Sequence, residues 1–121
     1  MCISDRETGL PRTVYGNVRN TGLITNLPRN ACVEVPCLVD RAGLQPTHVG
    51  DLPAQCAALD RTFLNVVELT VRAALEGRRD HVLQAVTLDP NAAAVLSMAQ
   101  MEALVDEMLA AERDMMPEAL R

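Results

Sequence analysis

The first half of the chain alternates hydrophobic and polar positions; the second half repeats them at helical spacing. In "ACVEVPCLVD" (31–40), Val33 and Val35 straddle Glu34, the period-two signature of a strand with one covered face. "TVYGNV" (13–18) and "THVG" (47–50) are two further short β-rich runs. Pro36 interrupts the second run, which predicts that its strand lies at a sheet edge or breaks at a bulge, because proline cannot donate to a ladder. "RAG" (41–43) followed by "LQPTHVG" reads as a turn and a short returning strand. The expectation is a small, mainly antiparallel sheet.

From residue 51 the pattern is helical. Asp51 ahead of Leu52-Pro53 predicts a cap followed by a first-turn proline. Beyond it Cys56, Leu59, Phe63, Val67 and Ala74 fall near one face, and Arg61, Asn65, Glu68 and Arg72 form an opposing stripe. Gly77 is the natural stop. A short helix is expected over 79–88, and Asp89-Pro90 repeats the cap-and-proline start for "NAAAVL". Ser97 with Gln100 three residues on is a capping box, opening a helix with Met101, Leu104, Val105 and Met108 on one side. Those methionines read as core filler.

Composition narrows the function classes. At 121 residues the chain fits one domain, divided into residues 1–11 as the stub of a preceding element, a β-rich part over 12–50 and a helical part over 51–121. The opening "MCISDRETGLP" has neither cap nor strand pattern and reads as the tail of something longer. Tyr15 and Phe63 are the only aromatic residues, so the core is aliphatic and little is available for base stacking. The net charge of −5 argues against a phosphate-backbone partner, so no nucleic-acid role is expected. No apolar run approaches the ~20 residues that span a bilayer, and no leader is visible, so neither a membrane nor export is expected and the compartment is read as cytoplasmic.

Complete chemical motifs are missing. Cys2, Cys32, Cys37 and Cys56 contain no C-x-x-C pair, and the offset of Cys32 and Cys37 puts them on opposite faces of a strand. They are read as small buried or partly buried thiols, and His48 and His81 as surface or packing residues. There is no G-x-G-x-x-G after a strand and no G-x-S-x-G elbow. The carboxylates, among them Glu34, Asp40, Asp60 and Asp106, show no spacing that selects an acid/base pair. On the residues alone this is an α+β domain without a complete catalytic set.

One stretch stands apart. "GNVRNTGLITNLPRNACVEVP" (16–36) holds two glycines, two prolines and four asparagines between apolar residues. Such a concentration exceeds what one turn needs and reads as a shaped polar surface, either a pocket wall or a subunit contact. Here the sequence resembles the C-terminal domain of the family-4 glycoside hydrolases, most closely their α-galactosidase and α-glucosidase branch. "GNVRNTGLITNLP" (16–28), "CVEVPCLVD" (32–40) and "GLQPTHVGDLP" (43–53) carry the resemblance, with "LDPNAAAVLS" (88–97) and "ALVDEMLAAERDMMPEAL" (103–120) farther along. It runs in order over nearly the whole chain from about residue 7.

The resemblance implies an α+β fold in which a small mainly antiparallel sheet packs against long C-terminal helices, as in the C-terminal domain of lactate dehydrogenase. It also implies an unusual chemistry, outside the two-carboxylate scheme of most glycosidases. In the family, bound NAD⁺ oxidises the sugar at C3, a tyrosine removes the acidified C2 proton, and Mn²⁺ stabilises the enediolate before elimination. The Gly-rich loop, metal-binding Cys and His, and catalytic acid of that machinery have no counterpart here. So no catalytic, cofactor-binding or metal-binding residue is assigned, the base role is not transferred to Tyr15, and the chain alone is expected to be inactive and to bind neither NAD nor Mn²⁺. In the full-length context the resemblance implies an α-glycoside substrate, a preceding nucleotide-binding domain and a homo-oligomer. Asn17, Arg19, Asn20 and Asn26 would then face the substrate cleft and offer amide and guanidinium donors to sugar hydroxyls or to the groups that surround the metal site. The competing reading is that these asparagines only satisfy backbone groups in tight turns. Glu34 reads as a solvated edge carboxylate or as a partner for an arginine of a neighbouring subunit. A free-standing, non-catalytic interaction module derived from such an enzyme is the alternative function. A lactate- or malate-dehydrogenase-like C-terminal half is disfavoured by the "NLP…VEVP" series.

Overall fold

The computed structural model describes residues 11–116 and 118–120. It is an α+β protein. Strands β1 (Arg12–Arg19), β2 (Cys32–Asp40) and β3 (Gly43–Pro46) form one antiparallel sheet in the order β1-β2-β3. Helices α1 (Ala54–Glu76), α2 (Arg79–Leu88), α3 (Pro90–Val95) and α4 (Met98–Ala111) follow, then single 3₁₀ turns at Arg113–Met115 and Glu118–Leu120. The fold divides into two compact units between Ala57 and Ala58.

In the first unit, Val33, Val35, Cys37 and Val39 point to one face of β2 and are buried, while Cys32 and Glu34 on the other face are exposed. The alternation read from the sequence therefore holds along the whole strand. Two expectations fail. β2 is the central strand, not an edge, and Pro36 lies inside it, paired with Tyr15. In an antiparallel strand the N and O of one residue point the same way. The Pro36 carbonyl accepts from Thr47 N–H at 2.9 Å, so its missing donor faces the side where β3 has just ended. The β1 ladder loses nothing. The returning strand is also shifted: it covers 43–46, and "THVG" is not a strand. Only Gly50 makes an isolated bridge, to Ile24. The turn from β2 to β3 is held by Asp40, whose carboxylate accepts from Ala42 N–H at 2.8 Å.

Helix boundaries follow local chemistry. Asp89 accepts from Asn91 and Ala92 N–H at 2.8 and 2.9 Å, with Pro90 as the first residue of α3. Ser97 and Gln100 form the capping box of α4. Gly77 ends α1 with φ +65°, the left-handed region that glycine enters at least cost. The start of α1 differs from expectation: Pro53 sits just before the helix, and the Asp51 carboxylate accepts from the Thr25 hydroxyl. In the second unit Ala73, His81, Ala85, Met101, Val105 and Leu120 are buried. Half of the expected methionine stripe stays outside, since Leu104 and Met108 are exposed. The α1 residues Leu59, Phe63 and Val67 share a face as read from the sequence, but that face is exposed.

Among the described cysteines, Cys37 is buried and Cys32 and Cys56 are exposed free thiols, contrary to the expectation of buried or partly buried thiols. Cys2 lies outside the described residues. No helix of the described residues is long and apolar enough to cross a membrane.

Candidate functional site: the loop after strand β1

Residues 20–31 connect β1 to β2, and Asn20 organises them. Its side chain is fully buried. The amide nitrogen lies 2.9, 3.2 and 3.0 Å from the carbonyls of Ile24, Leu27 and Pro28. The amide oxygen accepts from Gly22 and Ile24 N–H at 3.2 and 3.1 Å. One side chain thus satisfies both a turn at Gly22, where φ is +108°, and the return of the chain at Leu27-Pro28. The backbone closes the same loop, with Asn20 N–H donating to Ala31 carbonyl at 2.8 Å.

A second amide ties the loop to the segment ahead of α1. Asn26 donates to the Leu52 carbonyl at 2.8 Å and accepts from Leu52 N–H at 3.0 Å. Beside it, Val49 and Gly50 N–H donate to the Leu23 carbonyl, and Thr25 N–H donates to Gly50. No non-glycine residue among those described has positive φ. The asparagines therefore act through their side chains, not by taking up left-handed backbone.

Asn17 and Arg19 occupy the open face of the sheet. Both are exposed on β1, where Asn17 lies opposite Glu34 and Arg19 opposite Cys32. Arg19 donates to the Asn30 side-chain oxygen at 2.6 Å. Tyr15 stands on the same face, 72% exposed. So the structure sets Asn17 and Arg19 facing outward and Asn20 inward, with Asn26 half-buried at a seam. Glu34 is exposed as expected, though on the central strand. Sequence reading missed the Arg19–Asn30 contact and the Arg29 donation to the Thr21 carbonyl at 3.0 Å. Arg19–Asn30 joins the end of β1 to the loop and Arg29–Thr21 closes within it; the asparagine rhythm was a signal for the first and nothing in the pattern signalled the second.

Ionisable groups elsewhere show ordinary helix-end chemistry. Arg78 donates from Nε to Asp80 at 3.0 Å and also through its terminal nitrogen. This bidentate hydrogen bond pulls the Asp80 carboxyl down to about 2, against the opposing effect of desolvation. Arg79 pairs with Asp106, joining α2 to α4. His81 is buried on α2, and its Nδ1 lies 3.5 Å from Glu76 Oε2, too far for a good hydrogen bond. His48 is exposed. Among the described residues no group of three or more His, Cys, Asp or Glu side chains converges on a point that would hold a metal ion. Nor does a Gly-rich strand-to-helix turn occur, so the described residues do not by themselves fit a manganese or dinucleotide site.

Comparison with known proteins places this arrangement. Residues 2–92 match the model of the family 4 glycosyl hydrolase C-terminal domain, and the chain belongs to that family. It is 47% identical over 116 residues to an α-galactosidase of Bacillus subtilis (strain 168), a match that covers 96% of this chain and 27% of that protein. The crystal structure of a 6-phospho-α-glucosidase from gut microorganisms, in complex with NAD and glucose-6-phosphate, superposes with a TM-score of 0.82 at 27% identity. That match covers 97% of this chain and 26% of the other. A second 6-phospho-α-glucosidase structure from gut microorganisms, with NAD and Mn²⁺, gives a TM-score of 0.77 at 25% identity over 93% of this chain and 25% of the other. The chain thus spans about a quarter of the length of the relatives it matches.

Proposed function

We propose that this chain is the C-terminal domain of a cytoplasmic, NAD- and Mn²⁺-dependent α-glycosidase of α-galactosidase type, which hydrolyses O-glycosyl bonds in carbohydrate metabolism. The observation that carries the reading is the Asn20-centred loop with its outward-facing neighbours Asn17 and Arg19. A fully internalised amide gives the loop a fixed shape, and a fixed loop is what positions exposed donors against a ligand. In this reading Asn17 and Arg19 contact sugar hydroxyls, Asn26 holds the pocket wall against the segment ahead of α1, and Asn20 shapes the wall from behind. Redox and metal chemistry belong to a preceding nucleotide-binding portion. The domain's second role is homo-oligomerisation through helical surface that carries exposed Val95, Met98, Met108 and Met115.

The test is a chimera in which this chain replaces the matching C-terminal quarter of the Bacillus subtilis α-galactosidase. Release of nitrophenol from an α-galactoside, with NAD⁺ and Mn²⁺ supplied, is the expected result, with a raised KM in Asn17→Ala and Arg19→Ala. A folded, NAD⁺-binding chimera without activity would overturn the reading. The chain alone is expected to neither bind NAD⁺ nor cleave the substrate. Light scattering at low concentration addresses the second role: a clean monomer of 13.1 kDa counts against oligomerisation.

A further inference from the structure

Helix α1 carries two faces of opposite character. Arg61, Asn65, Glu68 and Arg72 make a polar stripe, with Arg72 paired to Glu68 at 2.5 Å. Away from it, Leu59, Phe63, Val67, Val71 and Leu75 follow one another at intervals of four residues. On an α-helix such a row is one continuous ridge, here about 24 Å long. Every member is open to solvent: 69, 56, 54, 50 and 82% exposed in that order. A helix whose outer side met only water would need one polar face, which the Arg61–Arg72 stripe already supplies. The ridge is therefore surface awaiting a partner.

We infer that the ridge is the docking surface for the nucleotide-binding portion that precedes this domain in its relatives. The inference rests on the reading of the chain as the C-terminal domain of a longer glycosidase. Two observations select that occupant over a second copy of the chain. The matched relatives extend well beyond the part that aligns here, and the solved one with NAD and glucose-6-phosphate is covered over only 26% of its length. Surface area points the same way. At roughly 150–200 Å² for a whole large apolar side chain, the exposed fractions leave roughly 500 Å² on the ridge. Doubled for the opposing surface, this falls within the range of contacts between domains of one chain and below the usual size of a stable dimer interface. Dinucleotide-binding folds present helices on both sheet faces, and helices pack with i±4 ridges interleaved at about −50°.

Hydroxyl-radical footprinting read by mass spectrometry tests this on the isolated chain and on the chimera described above. Labelling of Phe63 is expected to fall roughly sevenfold or more in the chimera, the ratio between its present exposure and that of a buried residue. Equal labelling in both proteins would overturn the inference, whatever the activity of the chimera. An inactive chimera with a protected ridge would sink the glycosidase reading and leave the docking surface standing. A second measurement needs only the isolated chain. Phe63→Asp and Leu75→Asp are expected to leave its mass in solution unchanged; a dimer that these substitutions dissociate would show that a second copy occupies the ridge and would overturn the proposal.

Discussion

Asn26 and Leu52 exchange two hydrogen bonds, the amide of one imitating a strand neighbour for the backbone of the other, at 2.8 and 3.0 Å. The pair fastens the β1–β2 loop to the segment that leads into α1. Removing the amide leaves the Leu52 N–H and C=O without these partners in a half-buried place. Asn26→Ala is therefore expected to lower stability by about 1–3 kcal/mol. Asn26→Asp, which keeps the acceptor and loses the donor, should fall between the two. Urea denaturation measures both, and amide exchange at Leu52 reports whether the loosening begins at this seam.

Asn20 has no comparable freedom. Its buried amide faces three carbonyls on one side and two N–H groups on the other. Asn20→Ala is expected to cost about 3 kcal/mol, since the orphaned groups have little access to water. Asn20→Asp is the sharper test. The carboxylate keeps the two N–H contacts but sets a negative charge against the carbonyls of Ile24, Leu27 and Pro28. Burial and those carbonyls raise the pKa of the introduced acid, so its protonated form fits better. The destabilisation is expected to shrink as pH falls from 7 to about 5. A pH-independent loss would show that the amide nitrogen is not the critical atom.

What the sequence disclosed and what it hid divide by the range of the interactions. The Asp89 and Ser97–Gln100 caps and the Gly77 stop were legible because each depends on residues within three or four positions. The alternation of Val33 and Val35 was legible because a pleated strand imposes it locally. Strand order was not. Pro36 looked like an edge residue because one rule was applied to the whole strand, whereas only the side facing the end of β3 matters. The Asn-rich stretch announced a shaped loop, but Asn26 finds its partner 26 residues later, beyond any local pattern. The Leu59–Phe63–Val67 face was visible as a face; that it is exposed was not, because burial depends on what packs against a helix and not on its own spacing.

Gly77 closes α1 under two independent constraints. Its φ of +65° disfavours any side chain, and a Cβ added there would overlap the Ala119 methyl. Gly77→Ala is expected to destabilise by about 2 kcal/mol or more, from the strained backbone and the clash together. A double-mutant cycle separates them. In an Ala119→Gly background the clash disappears and only the backbone penalty, about 1 kcal/mol, should remain. Thermal melts of the four proteins suffice. Purely additive losses would mean that Ala119 does not limit the space at Gly77.

The Arg78–Asp80 pair gives a titration with a definite sign. The hydrogen bonds from Arg78 hold the Asp80 carboxyl at about 2 in the folded protein, below its ordinary value of 3.8. Above the ordinary value the carboxylate is ionised in both folded and unfolded chains, and the full favourable difference is present. As pH falls from about 4 toward about 2, the unfolded chain takes up the proton first, so the contribution fades across that window and is gone below it. Because the pair is exposed, the effect on global stability is small and the carboxyl itself is the better reporter. Carbon-13 NMR of Asp80 is expected to show a midpoint near 2, rising to the ordinary carboxylate range in Arg78→Gln. Since Arg78 is also raised by the same contact, its loss removes both halves of the interaction at once. A midpoint unmoved by that substitution would assign the shift to the N-terminal turn of α2 instead, where partial positive charge also favours the ionised acid.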